Sequence, residues 1–146
     1  MNEPHVILDM LGGSAPGNHP RTLAVVGLSD DPSRPSHSVS AYMQQHGYRI
    51  LPVNPALSHV LGERAYPSLR DLPERPDVVN VFRLPRHIPA IVDDMIDLGL
   101  QNLWVQLGIR HDPAAIRAED AGIHVVMDRC ILIEHERLFN NSARVA

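Results

Sequence analysis

A glycine, two serines and an arginine that could together hold a phosphate group lie close to one another in the sequence. Gly27 permits close approach of a ligand to the backbone, and Ser29 and Ser36 carry hydroxyl donors. Arg34 adds positive charge beside the backbone amides of a helix predicted to begin at Ser36. Each residue alone also fits an ordinary turn or helix cap. Their combination predicts a site for an anionic ligand.

Other reactive residue types form no recognisable catalytic or metal-binding pattern. The nine histidines include no H-E-x-x-H motif and no closely paired Cys/His set, so no metal site is predicted. Cys130 is the single cysteine, and we interpret it as a small buried hydrophobe, with a reactive thiol beside Arg129 as the alternative. Residues 134–136, Glu-His-Glu, are interpreted as a charged surface, with acid/base chemistry as the alternative. No catalytic residue is predicted.

The composition is that of a soluble globular domain. The 146 residues are 44% hydrophobic and 21% charged, and no apolar run approaches the ~18 residues of a membrane span. A formal net charge of -4 gives no general attraction for nucleic acid or anionic lipid. The first twenty residues lack a secretory leader pattern, so a cytoplasmic location is expected.

Five short apolar segments alternate with helical patterns and predict the fold. The expected strands are residues 23–27, 48–53, 78–82, 103–107 and 124–127, and the strongest helix follows Pro85 and ends at Gly99. This order predicts an α/β, Rossmann-like, doubly wound fold. Its sheet is mainly parallel and five-stranded, with a sixth strand left open, and has helices on both faces. The expected organisation is an N-terminal helix with a flexible connector at residues 1–21, one domain at residues 22–139 and a tail at residues 140–146.

In such a sheet the ligand lies beyond the carboxyl ends of the strands, where the strand order reverses. Arg83 and Arg110 follow the third and fourth predicted strands and add charge there. A dinucleotide-binding G-x-G-x-x-G motif is absent, because Ser29 and Pro32 stand where glycines are required. Asn54 ends the second strand where such a site needs a carboxylate for the ribose. A standard NAD site is therefore not expected.

Several segments resemble the small stand-alone coenzyme A-binding proteins, whose domain is similar to the nucleotide-binding part of the succinyl-CoA synthetase alpha chain. The resemblance covers residues 23–138. The segments that carry it are residues 25–29 with 34–36, 47–55, 62 with 66–69, 77–83, 104–109, and 126–131 with 134–135. Leu28 departs from the family, which more often has alanine at this position.

The resemblance implies coenzyme A as the cofactor and assigns the binding residues by position. Gly27, Leu28, Ser29, Arg34, Pro35 and His37 would form the phosphate loop. Val53, Asn54 and Pro55 would meet the nucleoside, with Phe82 and Arg83 flanking it. The loop of Gln106, Gly108 and Ile109 would close the site.

Three functions remain open at this point. The first is a non-catalytic or regulatory module that binds coenzyme A or an acyl-CoA. The second is an enzyme acting on a CoA thioester through Cys130 or a histidine, and the third is a nucleotide-binding subunit that needs a partner chain. We favour a small-molecule ligand as the partner over nucleic acid or membrane, and leave homo-oligomers and partner subunits open.

Overall fold

The computed structural model of the protein describes residues 1–13 and 20–140. Its central feature is a sheet of five parallel strands in the order β2-β1-β5-β6-β7. These strands are β1 (Thr22–Val26), β2 (Arg49–Val53), β5 (Val78–Val81), β6 (Asn102–Val105) and β7 (His124–Met127). The predicted doubly wound α/β class is confirmed, and the sheet has five strands rather than six. Most of the predicted connector and tail, residues 14–18 and 141–146, lies outside the described residues.

Helices cover both faces of this sheet. They are α1 (Pro4–Met10), α2 (Pro35–Gln45), α3 (Ile88–Leu98), α4 (Asp112–Asp120) and α5 (Ile131–His135), and the chain continues from α5 into a π-helical turn, Glu136–Asn140. Alternate strand residues point to opposite faces, so β1 sends Leu23 and Val25 towards α1, α2 and α5. Ala24 and Val26 of the same strand pack towards α3 and α4. Burial on both faces explains why the strands are largely apolar, with the buried Asn80 of β5 as an exception.

A short antiparallel hairpin between β2 and β5 was not predicted. Its strands are β3 (His59–Val60) and β4 (Glu63–Arg64), joined by Leu61 and Gly62, which have φ of 55° and 75°. Two successive positive φ values are typical of the tight turns that join hairpin strands. Strands of two residues are too short for alternation to reveal them. The sequence predicts one helical turn at residues 68–72, and the structure has a 3-10 turn there, Leu69–Asp71.

The sequence predicts Ser36 as the N-cap of α2 and Asp112 as the N-cap of α4, and both predictions are wrong. Ser36 does not cap α2, because the helix begins at Pro35 and its N-cap is Arg34, which makes no side-chain capping bond. Asp112 is the first residue of α4, and the cap is His111, whose Nδ1 accepts a hydrogen bond from the Ala114 amide at 3.1 Å. The N-cap of α2 therefore lies two residues before the predicted one, with Pro35 as the first helical residue. The N-cap of α4 lies one residue before the predicted one, with Pro113 as the second helical residue.

The N-terminal helix packs into the same core as α2 and α5. Ile7 and Met10 are buried there, and the Tyr48 hydroxyl donates a hydrogen bond to the Leu11 carbonyl at 2.6 Å. The Asn2 side chain pairs with the backbone of Met127, donating at 2.9 Å and accepting at 2.7 Å. Asn2 thus satisfies part of the open edge of β7, as an added strand would.

Candidate functional site

Two cavities open at the carboxyl ends of the strands, near the point where the strand order reverses between β1 and β5. The larger, of about 600 Å³, lies on the side of α2 and α5. The smaller, of about 220 Å³, lies on the side of α3. A doubly wound sheet with this strand order binds ligands at this position.

The predicted site residues divide between these cavities. The larger cavity is lined by Gly27, Ser29, Arg34, Pro35, Phe82, Gln106 and Ile109, and the smaller by Val53, Pro55 and Arg83. Four predicted residues, Leu28, His37, Asn54 and Gly108, line neither. Ser36, which the sequence also predicts as a donor to the phosphate, lines the larger cavity. This cavity is further lined by four residues that are not among the predicted binding residues, Asp31, Val39, Leu107 and Cys130.

Gly27 is required by its backbone and by its surroundings. Its φ is +88°, and a Cβ atom added there would lie 2.9 Å from Cδ of Arg83 and 3.0 Å from the Phe82 carbonyl oxygen. Because Gly27 has no side chain, the loop after β5 packs directly against the loop after β1. The absent side chain therefore allows the two loops to meet beside the larger cavity, which Gly27 lines.

Serines hold the loop between β1 and α2 in its curved form. The Ser29 amide donates to Oγ of Ser36 at 3.0 Å, and Oγ of Ser29 accepts from the Asp31 amide at 3.0 Å. Ser36 is buried in the first turn of α2, so its hydroxyl braces the loop instead of capping the helix. Pro35 and Ser36 begin this eleven-residue helix and line the cavity, so the positive end of the helix dipole favours a negatively charged group there.

The loop between β1 and α2 contributes one basic and one acidic side chain to the larger cavity, Arg34 and Asp31. Arg34 is exposed and makes no ion pair with any residue that the structure describes, while lining the cavity. Asp31 accepts hydrogen bonds from the backbone amide and the hydroxyl of Ser33, which hold the pKa of its carboxyl below the ordinary value. Asp31 therefore stays ionised and organises the loop, and Arg34 remains available for an anion.

Arg83 lies between the two cavities. Its aliphatic part contacts Gly27, and its Nη2 donates a hydrogen bond to Nε2 of His87 at 3.0 Å. Arginine has no acceptor, so His87 must be neutral to accept this bond. Desolvation, and secondarily the charge of Arg83, lower the pKa of His87 and favour the neutral ring.

Asn54 and Leu28 have structural contacts that the sequence did not reveal. The Asn54 side chain donates to the Leu28 carbonyl at 3.0 Å and accepts from the Ala56 amide at 2.9 Å. Both ends of its amide are therefore engaged in joining the loops after β1 and β2. The Leu28 side chain is fully buried among the residues beneath α2, so it packs in the core and does not line the larger cavity.

Gln106 connects the cavity wall to a buried polar network. Its Nε2 donates to Oδ1 of Asn80 at 2.6 Å, and its Oε1 accepts from the Ile131 amide at 3.3 Å. Nearby, the Gly108 amide donates to Oδ1 of Asp128 at 2.7 Å. Hydrogen bonds thus join the loop after β6 to the segment that follows β7.

Cys130 is not the buried hydrophobe that the sequence suggested. Its side chain is half-buried and lines the larger cavity. In the chain, Cys130 is the residue immediately before α5. The short connection from β7 to α5 turns at this point and leaves the thiol at the carboxyl edge of the sheet. With Phe82, Leu107 and Ile109 it forms the less polar side of the cavity.

Glu134 and His135 are buried, so their interpretation as a charged surface is wrong. Nδ1 of His135 lies 2.9 Å from the Tyr42 hydroxyl, and Glu134 is paired with Arg137. The His135 ring also lies 5.0 Å from that of His46, measured between centroids. Burial, and secondarily the charge of His46, lower the pKa of His135, whereas Glu136 acts in the opposite direction. This cluster joins α5 to α2 away from the cavity.

Neither a metal-binding cluster nor a membrane-spanning helix is found in the described part of the chain. No group of three or more His, Cys, Asp or Glu side chains there is arranged to hold a metal ion. Within residues 1–13 and 20–140, no helix is both long and apolar enough to cross a bilayer.

Comparison with known proteins identifies the relatives of this chain. The uncharacterized protein YneT of Bacillus subtilis (strain 168) is 39% identical over 115 residues, which are 79% of this chain and 85% of that protein. A solved structure from Thermus thermophilus is 44% identical with a TM-score of 0.78, covering 82% of this chain and 90% of that one. An acetate–CoA ligase (ADP-forming) II of Archaeoglobus fulgidus is 26% identical over 85 residues, which are 57% of this chain and 13% of that enzyme.

A family model described as a CoA binding domain matches residues 21–136. This range includes all five strands of the main sheet and both cavities. The resemblance noted in the sequence is thereby confirmed: the chain belongs to the CoA-binding domain family.

Proposed function

We propose that the protein binds coenzyme A across the two cavities as a non-catalytic or regulatory module. The observation that carries this proposal is the convergence of Gly27, the start of α2 and the unpaired Arg34 on one cavity, in a chain of this family. The glycine backbone, the positive end of the α2 dipole and a guanidinium together suit the phosphates of the ligand.

The two cavities suit the two ends of the nucleotide. Val53 and Pro55 give the smaller cavity an apolar wall, and Arg83 forms its boundary with the larger one. An adenosine group on this side would place the phosphates over Gly27 and Ser29. The pantetheine arm would then follow Phe82 towards the loop containing Gln106, Gly108 and Ile109. His37, Leu28 and Asn54 support this loop system without lining a cavity.

Thermal denaturation with CoA and with NAD tests the proposal. CoA at ~100 times its dissociation constant adds about 2.7 kcal/mol to the free energy of unfolding, so Tm rises by several degrees. NAD at the same concentration leaves Tm unchanged, because Ser29, Pro32 and Asn54 break the dinucleotide pattern. Equal shifts with both compounds, or a shift with NAD alone, would contradict the assignment.

A second candidate function, chemistry on a CoA thioester by this chain alone or with a partner chain, is favoured by the position of Cys130 on the cavity wall. The test is incubation with CoA disulfide. The Cys130 thiolate would attack one sulfur, form a protein–S–S–CoA bond and release the other CoA as a thiolate. We expect an adduct one CoA in mass on the native protein and none on Cys130→Ser. No adduct under conditions where CoA binds would leave Cys130 as a packing residue.

A further inference from the structure

Two leucines at the carboxyl edge of the sheet are unusually exposed. Leu107, after β6, is 60% exposed and lines the larger cavity, and Leu84, after β5, is 57% exposed. Neither is needed to fill the core, and neither contributes to the binding of phosphate. Of the two, Leu107 belongs to the cavity wall, where with Phe82 and Ile109 it forms an apolar surface that suits an apolar part of a ligand.

The order of the strands places this apolar side opposite the polar one. The larger cavity runs from the end of β1, with Ser29 and Arg34, past β5 to the loop after β6, with Leu107 and Ile109. A ligand whose phosphates lie at Arg34 therefore extends its other end towards Leu107. In coenzyme A that other end is the thiol, which carries the acyl group in a thioester.

We propose that the preferred ligand is a thioester of coenzyme A with an apolar acyl chain of several carbons. The acyl chain lies against Phe82, Leu107 and Ile109 and removes their exposed surface from water. This inference rests on the proposed binding of coenzyme A. It adds the class of acyl group, and no bond is made or broken.

Calorimetric titration with CoA, acetyl-CoA, butyryl-CoA and hexanoyl-CoA tests the inference, with intact thioester verified by mass spectrometry. Each methylene that becomes fully buried tightens binding about fourfold. We expect the dissociation constant to fall along the series, with hexanoyl-CoA binding roughly tenfold or more tightly than acetyl-CoA.

A matched pair of variants locates the effect. Leu107→Ser should flatten the dependence of affinity on chain length, measured as the ratio of the CoA and hexanoyl-CoA dissociation constants. Ile116→Ser is the control, because Ile116 on α4 is 59% exposed and lines neither cavity. It should keep the ratio of the native protein.

The outcomes separate this inference from the proposed function. Tight binding of CoA without any dependence on chain length would overturn the apolar acyl site and leave CoA binding intact. An unchanged ratio in Leu107→Ser would overturn the placement of the acyl chain. Absence of binding by CoA and by every thioester would overturn both proposals together.

Discussion

The two faces of the sheet are built from different chemistry. Under α3 and α4 the buried residues are apolar, and charges remain at the surface in pairs such as Arg117–Asp93 and Arg70 with Asp94 and Asp97. The face covered by α2 and α5 instead buries polar side chains. Those described are Ser36, Ser40, Asn80, Gln106, Glu134 and His135.

The face covered by α2 and α5 therefore contains buried groups that lower the stability of the fold. A buried polar group that lacks a partner is costly, and Oγ of Ser40 and Nδ2 of Asn80 have no hydrogen-bond partner within the described residues. The larger cavity opens on this same face, whereas the purely apolar face is bounded by satisfied ion pairs. We infer that the polar face is adapted to a ligand and the apolar face to stability.

The largest effect is expected at Gly27, and Gly122 provides a matched control. Both have nearly the same φ, +88° and +87°, but a Cβ at Gly122 would meet no atom of the described chain within 4 Å. Alanine at either position costs about 1–2 kcal/mol through the left-handed backbone. Gly27→Ala should cost more and abolish CoA binding, because it displaces Arg83 and Phe82. Urea denaturation measures the loss of stability in each variant, and calorimetry measures CoA binding. Equal losses of stability in the two variants would contradict the close packing at Gly27.

An intermediate effect on CoA binding is expected when Arg34 is replaced, and the exposed Arg70 provides the comparison. Arg34→Ala should weaken CoA binding roughly 10- to 100-fold, because a hydrogen bond to an ionised group contributes roughly 1.5–3 kcal/mol. Its Tm should change little, since Arg34 makes no ion pair in the described structure. Arg70→Ala should leave CoA affinity unchanged and lower Tm only slightly, because ion pairs between exposed side chains contribute little to stability. Native affinity in Arg34→Ala would remove Arg34 from the site.

The smallest effect is expected in the pH dependence of stability when His135 is replaced. The pKa of His135 is lowered in the folded chain, mainly by burial, so the unfolded chain binds the proton more readily. The stabilisation from the neutral ring is complete above the ordinary histidine pKa of about 6.5 and is lost as the pH falls through the lower folded value.

His135→Gln should therefore lose less stability than the native protein when Tm is compared between neutral and mildly acidic pH. His124→Gln is the control, because His124 is exposed at the start of β7. An identical pH profile for the native protein and His135→Gln would show that the cluster of Tyr42, His46 and His135 does not respond to pH in this range.

The main elements of the fold could be predicted because their patterns are local. A strand buried on both faces must be apolar throughout, and α3 shows its apolar stripe and ends at Gly99 with φ of +69°. The β3–β4 hairpin could not be predicted, because two-residue strands have no period. The His111 cap was missed because histidine is not among the residues that usually cap helices.

The sequence alone predicts the parallel sheet, which the structure confirms. It also predicts a site at the carboxyl ends of the strands that includes Gly27 and Arg34, and both residues line the larger cavity there. Each conclusion depends on residue type and order along the chain. Which side chains share a cavity is known from the tertiary structure alone. In it, Asn54 joins two loops by hydrogen bonds, Leu28 is buried, and Leu107 and Cys130 line the larger cavity. The physical reason is that side-chain direction depends on register and packing between segments distant in sequence, which no local pattern records.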